Sequence, residues 1–310
     1  MSEMVPLYGF GGSGGGTGGT LTVTAPVGVT VTVSKDGKSK TKVADSSGVA
    51  VFKGLSGGEW TVTITDGSQK FSKPVTITTD YAVLISFSVI PDFTYTGDFE
   101  IVNDSNEPIT VSQDNWKIRF LTSGTLTFTA LNGAENGIDI FLVGGGGSSN
   151  GYGTFSGVRY YGGAGGGYTT TKKNIVPIAN QSISIVVGAS GGDSSYDSYT
   201  ASGGKHATNN NGANGGSGGA GCGDTNQYGA GGTDGGNGTT SSYGKAGTGQ
   251  GSTTREFGES GGKLYSNGGQ AYRGTPSGIK PVANNTGHGG YAGTKGGSGI
   301  VIIRNTREVA

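Results

Sequence analysis

The chain has 310 residues, of which 67 are glycine and only 14% are charged, with 21 basic and 21 acidic side chains. Glycine is far above its usual share of roughly 7%, and the charge balance argues against nucleic acid or an anionic membrane as the main partner. No apolar run approaches the ~18–20 residues a membrane span requires, and the single Cys222 excludes an internal disulfide framework. The balance is local: residues 91–143 hold eight acids and two bases, whereas residues 144–310 hold seven acids and twelve bases.

Taken in order, the chain reads as all-β with no α-helix. Residues 1–19 combine a short apolar stretch, Val5-Pro6-Leu7-Tyr8-Gly9-Phe10, with a Gly/Ser/Thr tract. Gly-rich tracts are flexible, so this segment is either a loose tail or a docking peptide whose Leu7, Tyr8 and Phe10 insert into a partner. It lacks the basic flank and apolar core of a signal peptide, from which synthesis in a cytoplasm is expected.

Residues 20–90 predict about seven short strands, the pattern of an Ig-like sandwich. Leu21–Thr24 and Val27–Val33 alternate, Lys35-Asp36-Gly37-Lys38 reads as a hairpin turn, and Val49–Phe52, Trp60–Ile64, Pro74–Ile77 and Val83–Phe87 follow. This segment resembles the prealbumin-like repeats of bacterial surface proteins and carboxypeptidase regulatory domains, which act as spacers. Residues 91–118 read as a small β connector with strands at Asp92–Tyr95 and Phe99–Val102.

Residues 119–310 form the glycine-rich region. Its expected strands are Thr125–Ala130, Ile138–Val143, Tyr168–Ile175, Ser182–Val187 and Ile300–Arg304, a modest sandwich closed by the last strand. Three long loops leave it, at 144–167, 188–209 and 210–298. Their glycines recur every third residue at Gly212, Gly215, Gly218 and Gly221, at Gly229, Gly232, Gly235 and Gly238, and from Gly287 to Gly299. That period matches a polyproline II-type helix, with three residues per turn. One glycine per turn leaves a bare stripe, along which neighbouring helices approach until backbones touch. The expected result is a polyglycine II bundle, solid with almost no hydrophobic core. Collagen is excluded because the period breaks between runs and proline is scarce.

Eleven of the fourteen tyrosines fall in this glycine-rich region, all but Tyr168 of them in its loops. Tyrosine offers a rigid, amphipathic contact at low entropic cost, and a Tyr/Ser/Gly/Asn mixture is the vocabulary of antibody binding loops. These rings either fill gaps between helices or bind at loop tips where the period fails. The contact candidates are Tyr152, Tyr160, Tyr161, Tyr196, Tyr199, Tyr228, Tyr243, Phe257, Tyr265 and Tyr272. Enzyme chemistry finds little support. His206 and His288 are far apart, lack partners at metal-ligand spacing and read as exposed loop residues, and no carboxylate pair stands out. No catalytic residue, metal or cofactor is expected.

Phe120–Thr125, Phe141–Gly147, Ile183–Ala189 and the closing Gly296–Arg304 together resemble the glycine-rich domain of phage tail and appendage proteins in Firmicutes. A related domain occurs in the extracellular part of anaplastic lymphoma kinase. The loop composition is similar to the tip adhesins of T-even-like phages, and Val5–Gly12 resembles the N-termini of such fibre proteins. The resemblance implies a virion protein, a tail fibre or receptor-binding adhesin, released by lysis. Its N-terminus would contact other virion proteins and its loops a host surface glycan or protein, with no nucleic acid and no membrane insertion. A homo-oligomer, such as a trimer, is possible for such fibres. The alternatives are a structural virion protein without its own receptor (a capsid decoration, head fibre or shaft) and a bacterial surface adhesin.

Overall fold

The structure is a computed structural model that describes residues 18–306 apart from 26, 67–68, 79–81, 87–89, 110–114, 133, 224–234, 242–243 and 248–253. The N-terminal docking candidates Leu7, Tyr8 and Phe10, and the loop tyrosines Tyr228 and Tyr243, lie outside the described residues.

The first unit is built from β1 (Gly19–Thr24), β2 (Thr30–Lys35), β3 (Lys38–Val43), β4 (Val49–Leu55), β5 (Gly58–Asp66), β6 (Gln69–Ile77) and β7 (Val83–Ser86). They form a three-stranded sheet in the order β4-β1-β7 and a four-stranded sheet in the order β3-β2-β5-β6. The alternation seen in the sequence sets which side chains are inside: Leu21, Val23, Val31, Val33, Phe52, Val62 and Ile64 are buried in one cluster. The β2–β3 hairpin turns at Asp36 and Gly37, both with positive φ of 49° and 73°, the type I′ geometry that the Asp-Gly pair predicts.

The second unit contains β8 (Asp92–Tyr95), β9 (Phe99–Val102), β10 (Lys117–Phe120), β11 (Gly124–Ala130), β12 (Ile138–Val143), β13 (Gly153–Phe155), β14 (Val158–Tyr161), β15 (Thr169–Ile175), β16 (Ser182–Val186), β17 (Ser194–Tyr196), β18 (Tyr199–Ala201), β19 (Gly221–Cys222), β20 (Thr240–Ser241), β21 (Tyr272–Arg273) and β22 (Ile300–Asn305). Ten of these make a sandwich of two five-stranded sheets, β15-β12-β22-β10-β9 and β18-β17-β16-β11-β8. β8 and β9, read from the sequence as part of a separate connector, are instead the edge strands of these two sheets, paired to β11 and β10. The closing strand β22 lies in the middle of its sheet, between β10 and β12.

Between the sheets lie Trp116, Ile118, Phe120, Leu126, Phe128, Ile138, Ile140, Leu142, Ile183, Ile185, Val301 and Ile303. Each fully buried aliphatic or aromatic side chain contributes roughly 1.5–3 kcal/mol. β12 is buried along its whole length, because its second face is covered too. There Phe141, Val143, Ile300 and Ile302 pack against Phe257 and Tyr265 from the 254–265 segment. Among the described residues there is no α-helix; two 3₁₀ turns, Ala134–Asn136 and Glu256–Gly258, are the only helical elements.

Candidate functional site

From the end of β12 the chain leaves the sandwich as a glycine segment whose backbone N–H groups bond outward in rotation. Gly144 donates to Tyr168, Gly145 to Gly192, Gly146 to Gly297 and Gly147 to Gly165. The returning segment repeats the scheme. Gly162, Gly165 and Tyr168 donate to Asn209, Lys205 and Ser202; Gly163 and Gly166 donate to Ala220 and Ser217; Ala164 and Gly167 donate to Gly290 and Gly287. Every third residue faces the same neighbour, so the segment has three residues per turn and satisfies its donors laterally. Residues 162–168 are thereby surrounded by segments 144–149, 202–209, 213–220, 266–269 and 287–290. This is the hydrogen-bonding signature of a polyglycine II bundle, and it answers where the backbone polar groups of a nearly coreless region go.

Glycine is needed here for space rather than for conformation. None of Gly144–Gly147, Gly162, Gly163 or Gly165–Gly167 has a positive φ. A Cβ at Gly145 would fall on the carbonyl oxygen of Ala189, at Gly163 on that of Gly269, and at Gly166 on that of Ser266. Two histidines complete the lattice where a carbonyl is missing. Nδ1 of His206 accepts from the Ser148 N–H at 2.7 Å, and Nδ1 of His288 accepts from the Asn267 N–H at 3.0 Å. His206 is exposed as expected, but His288 is half-buried, and burial, with the nearby Lys263 charge, lowers its pKa to about 4. The series from Gly287 to Gly299, expected as one helix, is two antiparallel segments. They meet at a turn over Tyr291–Thr294 in which Gly293 has φ of 85°.

The registers carry the bundle away from the sandwich to a far end, where Tyr161 pairs with Tyr272 and Cys222 donates its backbone N–H to Asn210. There β13, β14 and β21 form a small three-stranded sheet. Its hairpin turns at Ser156 and Gly157, with φ of 50° and 74°, again a type I′ turn. Strand alternation sorts the side chains. On one face Tyr152 lies 5.2 Å from Tyr161, which lies 6.5 Å from Tyr272. The Arg159 guanidinium sits 4.6 Å from the centre of the Tyr152 ring. On the other face the Arg273 guanidinium sits 5.5 Å from the centre of the Tyr160 ring. Tyr160 packs onto Ala220, Cys222 and Ala271, so the thiol of Cys222 is buried, donating to the Tyr272 carbonyl at 3.4 Å. Tyr152 and Phe155 remain 44% and 73% exposed.

The structure divides the ring residues expected to contact a partner. Tyr152, Tyr160, Tyr161 and Tyr272 meet in the far-end sheet. Tyr161 is buried within it and holds the others in place. Tyr196, Phe257 and Tyr265 are buried in the sandwich and its outer cover, not at loop tips. A contact role for these three, and for Tyr161, is corrected to a packing role. Tyr199 packs partly against the sandwich core, with the Lys172 ammonium 5.6 Å from its ring centre. Phe155, Arg159 and Arg273 were missed by the sequence reading. The signal that could have found them is arginine set among tyrosines in a region poor in charge.

A second cluster of charge lies on the outer sheet face. Lys117 pairs with Glu256 at 2.5 Å, both side chains only 4% exposed, and also donates to Asn106 Oδ1 at 3.0 Å. Tyr265 donates to Glu256 at 3.2 Å, and burial raises the Tyr265 phenol pKa. Arg304 pairs with Asp139 at 3.1 Å and Glu259 at 2.5 Å and stacks 4.1 Å from the Phe257 ring centre. These pairs fasten the 254–265 segment over β12 and β22. With each charge matched, the cluster has the character of a clasp.

A family model described as a glycine-rich domain matches residues 121–306. No curated protein and no solved structure matches the chain.

Proposed function

From a chain that belongs to the glycine-rich domain family across residues 121–306, we propose a bacteriophage virion protein that recognises the host surface with the far end of its glycine bundle. One observation carries the reading: a region with almost no hydrophobic core carries exposed Tyr152, Phe155 and Arg159 on a three-stranded sheet at its end. Exposed aromatic and arginine side chains on a rigid support are the features of recognition surfaces. The polyglycine lattice supplies that support, and the resemblance of residues 116–304 to phage appendage domains supplies the context. Recognition by weak contacts is multiplied by copy number on a particle.

Fluorescently labelled full-length protein should decorate cells of a susceptible bacterium. A Tyr152→Ala/Phe155→Ala variant with unchanged melting temperature should bind at least tenfold more weakly. Absence of binding by the wild type to every susceptible host would leave the second reading, a structural virion component. That reading is favoured by the burial of Tyr161, Tyr196, Phe257 and Tyr265, which makes those rings packing elements.

A further inference from the structure

Resting on the recognition reading above, we propose that the far-end sheet binds a carboxylate-bearing polysaccharide, with Arg159 and Arg273 gripping acidic groups and the tyrosines supporting sugar rings. The first observation is the distribution of charge. Between residues 144 and 299 the carboxylates are Asp193, Asp197, Asp224, Asp234, Glu256 and Glu259. Of those described, Asp193 bonds the Gly203 N–H near the sandwich, Asp197 turns the β17–β18 hairpin, and Glu256 and Glu259 belong to the outer clasp. Among the described residues, then, the far end carries arginine without carboxylate, and neither Arg159 nor Arg273 forms an ion pair there. By contrast Arg119 and Arg304, on the sandwich, are both paired with acids.

The second observation is repetition. Each arginine is stacked on a tyrosine, Arg159 on Tyr152 and Arg273 on Tyr160. The pairing Thr154↔Arg159 and Tyr160↔Arg273 sets the two stacks on opposite faces of one small sheet. Stacking holds each guanidinium in place, Arg159 with a side-chain hydrogen bond to Tyr161 as well; with five N–H donors a guanidinium still offers a fork that matches a carboxylate with two parallel hydrogen bonds. Both guanidinium-bearing residues are exposed. Two like grips, one on each face of the small sheet, suit a polymer that carries a repeating acid around the sheet's end better than a single small anion. The exposed Tyr152 and Phe155 rings beside them offer flat apolar surface for the C–H face of a sugar. A bare phosphate polymer would use the charges and leave these rings idle.

The test immobilises polygalacturonate, alginate and polysialic acid, with fully methyl-esterified polygalacturonate, poly(glycerol phosphate) and polyglutamate as comparisons, and passes the full-length protein over them. At least one carboxylated polysaccharide should be bound, tenfold or more tightly than any comparison polymer. Arg159→Ala/Arg273→Ala should lose at least tenfold in affinity with an unchanged melting temperature, and Tyr152→Ala should weaken binding as well. Three results would overturn the assignment: no binding to any of the three acidic polysaccharides, equal binding to the esterified, phosphate or polyglutamate polymer, or undiminished binding by the double variant. Running the same variants on host cells separates this from the recognition reading. Cells bound equally by wild type and Arg159→Ala/Arg273→Ala overturn the ligand class and leave recognition standing. Cells not bound by the wild type overturn recognition, while the polymer panel still decides the ligand class.

Discussion

A methyl group on Gly166 would fall on the carbonyl oxygen of Ser266, which belongs to a neighbouring strand of the lattice and cannot step aside alone. Gly261, in the clasp segment, has nothing within 4 Å of its Cβ position and no positive φ. Alanine at 166 should therefore destabilise the protein by roughly 3 kcal/mol or more, and alanine at 261 should be neutral or stabilise it by about 0.4–1 kcal/mol. Chemical denaturation of the two variants checks the contrast. His288 makes a second residue-scale case. Its folded pKa of about 4 lies below the ordinary ~6.5, so the unfolded chain binds the proton more readily. Stability is fully present above ~6.5 and falls as pH drops toward 4, by at most about 3 kcal/mol. His288→Asn keeps an acceptor near the Nδ1 position but gains no proton. The loss of melting temperature between pH 7 and pH 4.5 should accordingly be smaller in that variant than in the wild type.

Among the elements, the clasp over β12 depends on a pair that is strong only while complete. Glu256→Gln would leave the buried Lys117 ammonium without its carboxylate, at a cost of about 3–5 kcal/mol. Lys117→Met/Glu256→Leu removes both charges and should recover most of that loss, as a thermal-denaturation comparison would show. The elements differ in how plainly the sequence announces them. β12, β16 and β22 are apolar or alternating, as hydrophobic periodicity requires, and their bounds were legible to within a residue. The β17 and β18 pair was not, because Ser194–Ala201 is short and polar and gains its buried Tyr196 only from the neighbouring sheet. The turn at Gly293 was hidden for a different reason. A glycine that makes room for a neighbour and a glycine that adopts a positive φ are the same letter, so the three-residue spacing ran across a reversal. Tyr265, read as a tip residue, packs on Phe141 at 5.5 Å. Its neighbours Leu264 and Ser266 carry no periodicity that would mark the strand face it covers.

At the scale of the whole molecule, the chain joins two kinds of order. The sandwich is held by apolar side chains between two sheets, and the bundle by backbone hydrogen bonds in three directions around each glycine segment. The far-end sheet inherits rigidity from the second kind, and the recognition reading depends on that rigidity. The order of the bundle was legible in the glycine period, whereas the far-end sheet was not, since the β13–β14 hairpin is completed by β21, which pairs with β14 across more than a hundred positions. The most direct measurement is native-state hydrogen exchange on the full-length protein. If the lattice is as described, the amides of Gly163–Gly167 exchange within about tenfold of those of Ile140 and Phe141 in β12, because both are released only when the unit opens. Exchange of those glycine amides at the rate of a free chain, while β12 stays protected, would contradict it.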